Sequence, residues 1–117
     1  MTNHGRQQRR LAPIDFAELK ATVPITALLE LMHWEPARTQ QGGSELRGPC
    51  PVHGSTSETS TTFSVNTEKN NWHCFKCDEG GNTLDLAAHH FNIPREQSVR
   101  VAVELCKELG IEIPRKA

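Results

Sequence analysis

Cys50-Pro51-Val52-His53, then twenty residues, then Cys74-Phe75-Lys76-Cys77: the reading of this chain turns on these two short runs. In each run two residues separate the two metal-capable side chains. A turn of that length lets both side chains converge on one ion while its backbone amides hydrogen-bond the thiolates. Two such turns supply the four ligands of a tetrahedral zinc site. Cys50, His53, Cys74 and Cys77 then form a closed shell of three thiolates and one imidazole. A closed shell keeps no position for water or substrate, so the one Zn2+ ion expected here is structural and not catalytic.

Other readings of these residues explain less. A redox dithiol at Cys74 and Cys77 lacks the βαβ surroundings of such motifs and leaves Cys50 and His53 unused. His73 adjoins a ligand, but neighbours on a strand point to opposite faces, so its side chain should point away from the metal. Cys106 falls on the apolar side of a helical pattern and reads as a small buried hydrophobe. His4, His33, His89 and His90 have no ligand-like spacing, and the last two read as solvated or capping residues near a helix end.

Outward from the two runs the pattern alternates between strand and helix. Ser and Thr crowd residues 55–62, which predicts a loop. Phe63, Ser64, Val65 and Asn66 alternate as a half-buried strand, Glu68 to Asn71 is a polar turn, and Trp72 to Cys74 is the returning strand of a hairpin. Upstream, Gln40 to Ser44 is a turn between two short extended pieces. Ile14, Ala17 and Leu19 suggest a short helix. A second helix begins at Pro24, carries Ile25, Leu28, Leu29 and Met32 on one face, and stops at Pro36. Downstream, Gly80 and Gly81 end the metal region. Asn82 then caps a helix, with Asp85 three residues on and Leu84, Ala87, Ala88 and Phe91 facing inward. Asn92 to Pro94 breaks it. A last helix over about residues 95–109 sets Val99, Ala102, Val103 and Cys106 on one side, Gly110 ends it, and Pro114 follows.

The bulk properties bound the function. A chain of 117 residues suggests one domain, and with 36% hydrophobic and 5% aromatic residues its core gains from a metal staple. The formal net charge is −1, so nothing global marks the chain for nucleic acid, and any contact with DNA has to use a local patch. Residues 1–12 read as a disordered basic tail with Arg6, Arg9 and Arg10, and residues 13–114 as the folded domain. No apolar run approaches the roughly 20 residues that cross a bilayer, which argues against a membrane partner. No signal-peptide pattern follows the start, which predicts a cytoplasmic setting where thiols stay reduced.

In their order, Leu46-Arg47-Gly48-Pro49, Cys50-Pro51-Val52-His53, Phe63-Ser64-Val65-Asn66, Trp72-His73-Cys74-Phe75-Lys76-Cys77 and Gly80-Gly81-Asn82 through Leu86 resemble the N-terminal zinc-binding domain of bacterial-type DNA primases. The resemblance covers residues 15–113. It implies an α+β fold, a small zinc ribbon of antiparallel sheet with flanking helices. It also implies a role in DNA replication, in which the sheet face contacts single-stranded template DNA during RNA primer synthesis. Its partners would then be single-stranded DNA and a separate catalytic primase subunit or a helicase. The family's basic residue and proline before the strand are replaced here by Thr59-Ser60-Thr61-Thr62. The aromatic before the first histidine ligand is Val52. Primer synthesis in that family also needs clustered acidic residues in a separate domain. Asp78, Glu79 and Asp85 sit too near the zinc turn to supply them, so no catalysis is expected from this stretch alone.

A face that holds a single strand needs flat apolar rings for bases and cations for phosphates. Trp72, Phe63 and Phe75 are the available rings, with Phe63 assigned to the core and Phe75 and Trp72 open between core and surface. Arg47, Lys69 and Lys76 flank them. Arg47, Lys69, Trp72 and Lys76 are the expected nucleic-acid contacts. The alternative is a protein-interaction adaptor that kept the ribbon without binding DNA.

Overall fold

Alternating apolar and polar residues, punctuated by turn-forming Gly and Asn, build a five-stranded antiparallel meander. Its strands are β1 (Arg38–Gln40), β2 (Glu45–Gly48), β3 (Phe63–Asn66), β4 (Asn71–Cys74) and β5 (Glu79–Asn82), ordered β1-β2-β3-β4-β5. The computed structural model describes residues 12–54 and 59–116. Most of the expected basic tail therefore lies outside the described residues, as does the first half of the 55–62 loop, residues 55–58.

The register sorts side chains by face. Gly48, Phe63 and Cys74 lie opposite one another across β2, β3 and β4, and so do Leu46, Val65 and Trp72. This face is the core side, with Phe63, Val65, Trp72 and Cys74 buried. Phe63 sits between two indoles, with ring centroids 5.5 Å from Trp34 and 5.6 Å from Trp72. Trp34 lies directly over Gly48, where a Cβ would come within 2.7 Å of its ring. Its indole N–H donates to the Pro49 carbonyl at 2.6 Å. The indole N–H of Trp72 donates to the Asn82 carbonyl at 2.9 Å, so the buried Trp72 and the half-buried Trp34 both keep their polar atoms paired.

Gly80 and Gly81 do not end the region, as expected from the sequence, but lie within β5. Trp72 pairs with Gly81 and His73 with Gly80. Glycine in a strand marks a close approach of another group. Here that group is Asp85, whose carboxylate occupies the space a Gly81 side chain would need. The same carboxylate accepts from the Asn82 backbone N–H at 2.9 Å, while the Asn82 side chain accepts from Asp85 N–H at 3.0 Å. This reciprocal capping box starts the helix Thr83–Phe91.

Among the described residues four α-helices pack around the core. They are α1 (Phe16–Thr22), α2 (Ile25–Leu31), α3 (Thr83–Phe91) and α4 (Ser98–Leu109). Asp15 caps α1 by accepting from the Glu18 N–H at 3.0 Å. Ile25, Leu28 and Leu29 of α2 are buried as expected, and Met32 is half-buried. Ile14 and Leu19 are buried, whereas Ala17 faces solvent. The ends of the described chain meet: Asp15 N–H bonds the Pro114 carbonyl at 2.9 Å and Lys116 N–H bonds that of Pro13 at 2.9 Å.

The last two helices present different faces from those expected. In α3 the fully buried leucine is Leu86, while Leu84 and Phe91 are half-buried. In α4 the buried stripe is Val101, Ala102, Leu105 and Cys106, and Val99 and Val103 are 56% and 40% exposed. Valines lie on both sides of this helix, so periodicity alone allowed two rotations. Packing of α4 against α3 selects the side that also carries Leu105. The helix starts at Ser98 because residues 94–97 form a turn closed by Gln97 N–H on the Pro94 carbonyl at 2.9 Å. Among the described residues no helix is long and apolar enough to cross a membrane.

The α4 rotation is testable by denaturant unfolding. Leu105→Ala should lower stability by about 2–5 kcal/mol, as core truncations do. Val103→Thr, on the solvent side, should stay within about 0.5 kcal/mol. The reverse order would contradict the observed face.

Candidate metal centre and the open sheet face

Cys50 follows β2 by one residue, Cys74 is the last residue of β4, and Cys77 lies in the turn to β5. The hairpin register brings the end of β2 beside the end of β4, through Gly48 opposite Phe63 and Phe63 opposite Cys74. The second turn is tightened by Asp78 N–H on the Cys74 carbonyl at 2.8 Å, with Asp78 in the left-handed region at φ 54°. The ligand atoms of Cys50, His53, Cys74 and Cys77 consequently lie within 4.8 Å of one another. Cys50 and Cys74 are buried, Cys77 is half-buried and His53 is exposed, so the core closes the site from below and the imidazole borders solvent.

The electrostatics of this group call for a cation. Burial, opposed in part by the His53 backbone N–H, pushes the Cys50 thiol up to about 12. Burial also raises Cys77, with its hydrogen bond to Cys74 adding to the effect. Burial works against Cys74 too, but donation to its sulfur prevails and its pKa is lowered. The Cys77 backbone N–H is one such donor, 3.4 Å from Cys74 Sγ. His53 Nδ1 approaches the same sulfur at 3.6 Å. In the protein atoms alone, then, one sulfur gives up its proton more easily than its two neighbours, which are held protonated. A divalent ion removes that conflict by attracting all three thiolates at once. Three sulfurs and one imidazole nitrogen suit zinc, and the group fits one zinc ion.

The remaining cysteine and the other described histidines stand apart, while His4 lies outside the described residues. Cys106 is buried on α4, where burial raises its thiol pKa. His73 lies on the opposite face of β4 from Cys74, as alternation requires, with Nε2 3.5 Å from Asp78 Oδ1. His89 bonds Glu79 at 3.1 Å, and its ring meets Trp72 edge-on at 5.9 Å.

The expected nucleic-acid contacts divide. Lys69 is exposed in the β3–β4 turn and Lys76 is exposed in the zinc turn, at opposite ends of the same hairpin. Arg47 is half-buried on the outer face of β2, opposite Ser64. Trp72 does not reach solvent: it is 3% exposed and faces the core, so no base can stack on it. Strand alternation carried this information, because Trp72 and Cys74 are two residues apart and must share a face. The exposed ring is Phe75, at 61%. Its centroid lies 4.8 Å from that of His73, and the Arg47 guanidinium carbon lies 5.0 Å from the ring centre. On the same outer face, Ser64, Asn66, Asn71, His73, Gly80 and Gly81 line an open groove of about 560 Å³.

An antiparallel meander joined at one end by a Cys-His-Cys-Cys group defines a zinc ribbon. The structural comparison agrees. The Aquifex aeolicus primase structure containing zinc-binding and RNA polymerase domains matches with a TM-score of 0.60 at 23% identity, over 86% of this chain and 22% of that one. The CHC2 zinc finger family model matches residues 15–117, and the chain belongs to that family, as a zinc-binding domain of DNA primase type. Among curated relatives, the DNA primase of Listeria monocytogenes is 33% identical over 75 residues, 63% of this chain and 12% of that protein. The DNA primase of Streptomyces coelicolor is 37% identical over 76 residues, 64% and 11%. That of Salmonella typhimurium is 28% identical over 108 residues, 92% and 17%. The chain thus spans less than a fifth of the length of these relatives.

Two measurements follow for the metal. Cys50→Ser, Cys74→Ser and Cys77→Ser should each lose zinc by elemental analysis, while Cys106→Ser keeps it; full occupancy in any of the first three would contradict the grouping. Because Cys50 and Cys77 hold their protons in the metal-free group, zinc uptake near neutral pH should release both, and affinity should rise with pH. Calorimetric titration in buffers of different ionisation enthalpy counts the protons. Release of one or none would contradict the ionisation order.

Proposed function

We propose that Cys50, His53, Cys74 and Cys77 bind one structural zinc, and that the open face of the ribbon contacts single-stranded template DNA in RNA primer synthesis for DNA replication. The observation that carries the reading is the exposed Phe75 ring beside a groove floored by Gly80 and Gly81, with polar groups along its sides. A splayed base stacks on such a ring, and the Asn66, Asn71 and His73 side chains offer hydrogen bonds to base edges next to it. Lys69 and Lys76 stand at the two ends of the β3–β4 hairpin to meet phosphates. The zinc has no chemical step in this role: it fixes the turn that presents Phe75.

The membership of the chain in a primase family supports the reading, and the relatives named above are DNA primases. In this proposal a catalytic primase domain supplies the nucleotidyl transfer, a helicase is a further candidate partner, and the work takes place in the cytoplasm. The residues 13–114 act together as the binding module.

Titration of a labelled single-stranded oligonucleotide tests it. Phe75→Ala should weaken binding by about 1–3 kcal/mol, the worth of a stacking platform. Lys69→Gln and Lys76→Gln should each flatten the salt dependence by about 0.7, the share of one single-strand phosphate contact. Trp72→Ala should instead lower zinc content and stability, because it empties the core. A folded, zinc-loaded protein that binds no single strand at low salt would overturn the DNA reading in favour of the protein-interaction adaptor.

A further inference from the structure

Arg47 lies over the exposed ring, and a cation there invites assignment to a phosphate. Its hydrogen bonds point elsewhere. Nε and Nη2 both donate to the Thr61 carbonyl, at 3.0 and 2.8 Å. Nη1 pairs with Glu45 Oε2 at 3.4 Å, and that same oxygen accepts from the Ser64 hydroxyl at 3.0 Å. The charge is therefore already matched by a carboxylate on its own strand. The guanidinium lies over the face of Phe75, with its central carbon 5.0 Å from the ring centre. Phe75 is held at two other points. Its backbone N–H donates to the Thr62 carbonyl at 2.8 Å, and His73 meets its ring edge-on at 4.8 Å. Thr61 and Thr62 are adjacent, so one short segment anchors both the guanidinium and the backbone of the ring it supports.

We infer that Arg47 is a positioning residue: it fastens the segment at Thr61 to the sheet and holds the Phe75 ring in one orientation for a base, and it is not a phosphate contact. The inference rests on the template-binding reading for its purpose, but the clamp itself stands on the geometry above. Only arginine serves here. Lysine has neither the planar fork that places two N–H groups on one carbonyl nor a flat face to lie along a ring.

The test uses the zinc-loaded chain, a fluorescein-labelled single-stranded oligodeoxynucleotide, and the variants Arg47→Ala, Arg47→Lys, Phe75→Ala and Arg47→Ala/Phe75→Ala. Zinc content and circular dichroism verify that each is folded, and Arg47→Lys serves if the alanine variant does not fold. Arg47→Ala should weaken binding by about three- to tenfold, the range of a cation–ring contact at a partly exposed site. The slope of log affinity against log salt should be unchanged, Arg47→Lys should not rescue, and the loss should vanish in the Phe75→Ala background. By NMR, the nuclear Overhauser contacts of the Phe75 ring to His73 should weaken in Arg47→Ala without DNA present. A slope that flattens by about 0.7 and is restored by lysine would make Arg47 a phosphate contact and overturn the inference. Unchanged Phe75 ring contacts in Arg47→Ala would overturn it as well, whether or not DNA binds. Failure of the wild-type chain to bind any single strand removes the template reading separately, and the ring contacts then decide the clamp.

Discussion

The structure depends on one electrostatic constraint: three cysteine sulfurs gathered within 4.8 Å that cannot all ionise without a cation among them. Burial, reinforced by the neighbouring Cys74, drives Cys50 to about 12 and raises Cys77, so the group in the absence of metal is a set of mutually hindering acids. A divalent ion converts that opposition into attraction and ties the end of β2 to the β4–β5 turn. Structural zinc contributes on the order of 10–16 kcal/mol in finger peptides, comparable to the whole net stability of a domain. For a small chain with few aromatics, that ion does what a larger core does elsewhere.

Fixing Cys74 as a ligand on the core side also fixes the parity of β4 and, through the register, of its neighbours. Phe63, Val65 and Trp72 must then face inward with it, and Arg47, Ser64 and His73 outward. The same parity puts Gly81 above Asp85, which is free to close the capping box of α3 only because no side chain intervenes. Metal, sheet and helix start are in this way one connected arrangement. Its by-product is an uncovered sheet face bordered by the metal turn.

That face explains how a chain of net charge −1 can be read as a nucleic-acid module. In the proposed role, affinity for a strand has to come from ring and groove more than from counting phosphates, since Arg47 is already paired and only Lys69 and Lys76 among the expected cations stand free of the sheet. Rigidity then matters more than charge. A ring held from its backbone, its edge and its face loses little freedom when a base settles on it.

The sequence by itself determined what local spacing controls. The two ligand pairs, the β3–β4 hairpin, the Asn82–Asp85 cap, the buried face of the second helix and the inert Cys106 were all legible, because each depends on residues within a few positions. Orientation against distant elements was not. Two rotations of α4 satisfy the same periodicity, and packing on α3 chose Leu105 over Val103. Gly80 and Gly81 read as a stop, yet a free edge of β4 and the nearby Asp85 made them strand. Trp72 looked available for stacking until its parity with Cys74 met a core that fills around it. Arg47 kept its expected place on the face but not its expected partner. Its hydrogen bonds reach across fourteen residues to Thr61, a distance over which sequence carries no geometric information and only the folded chain does.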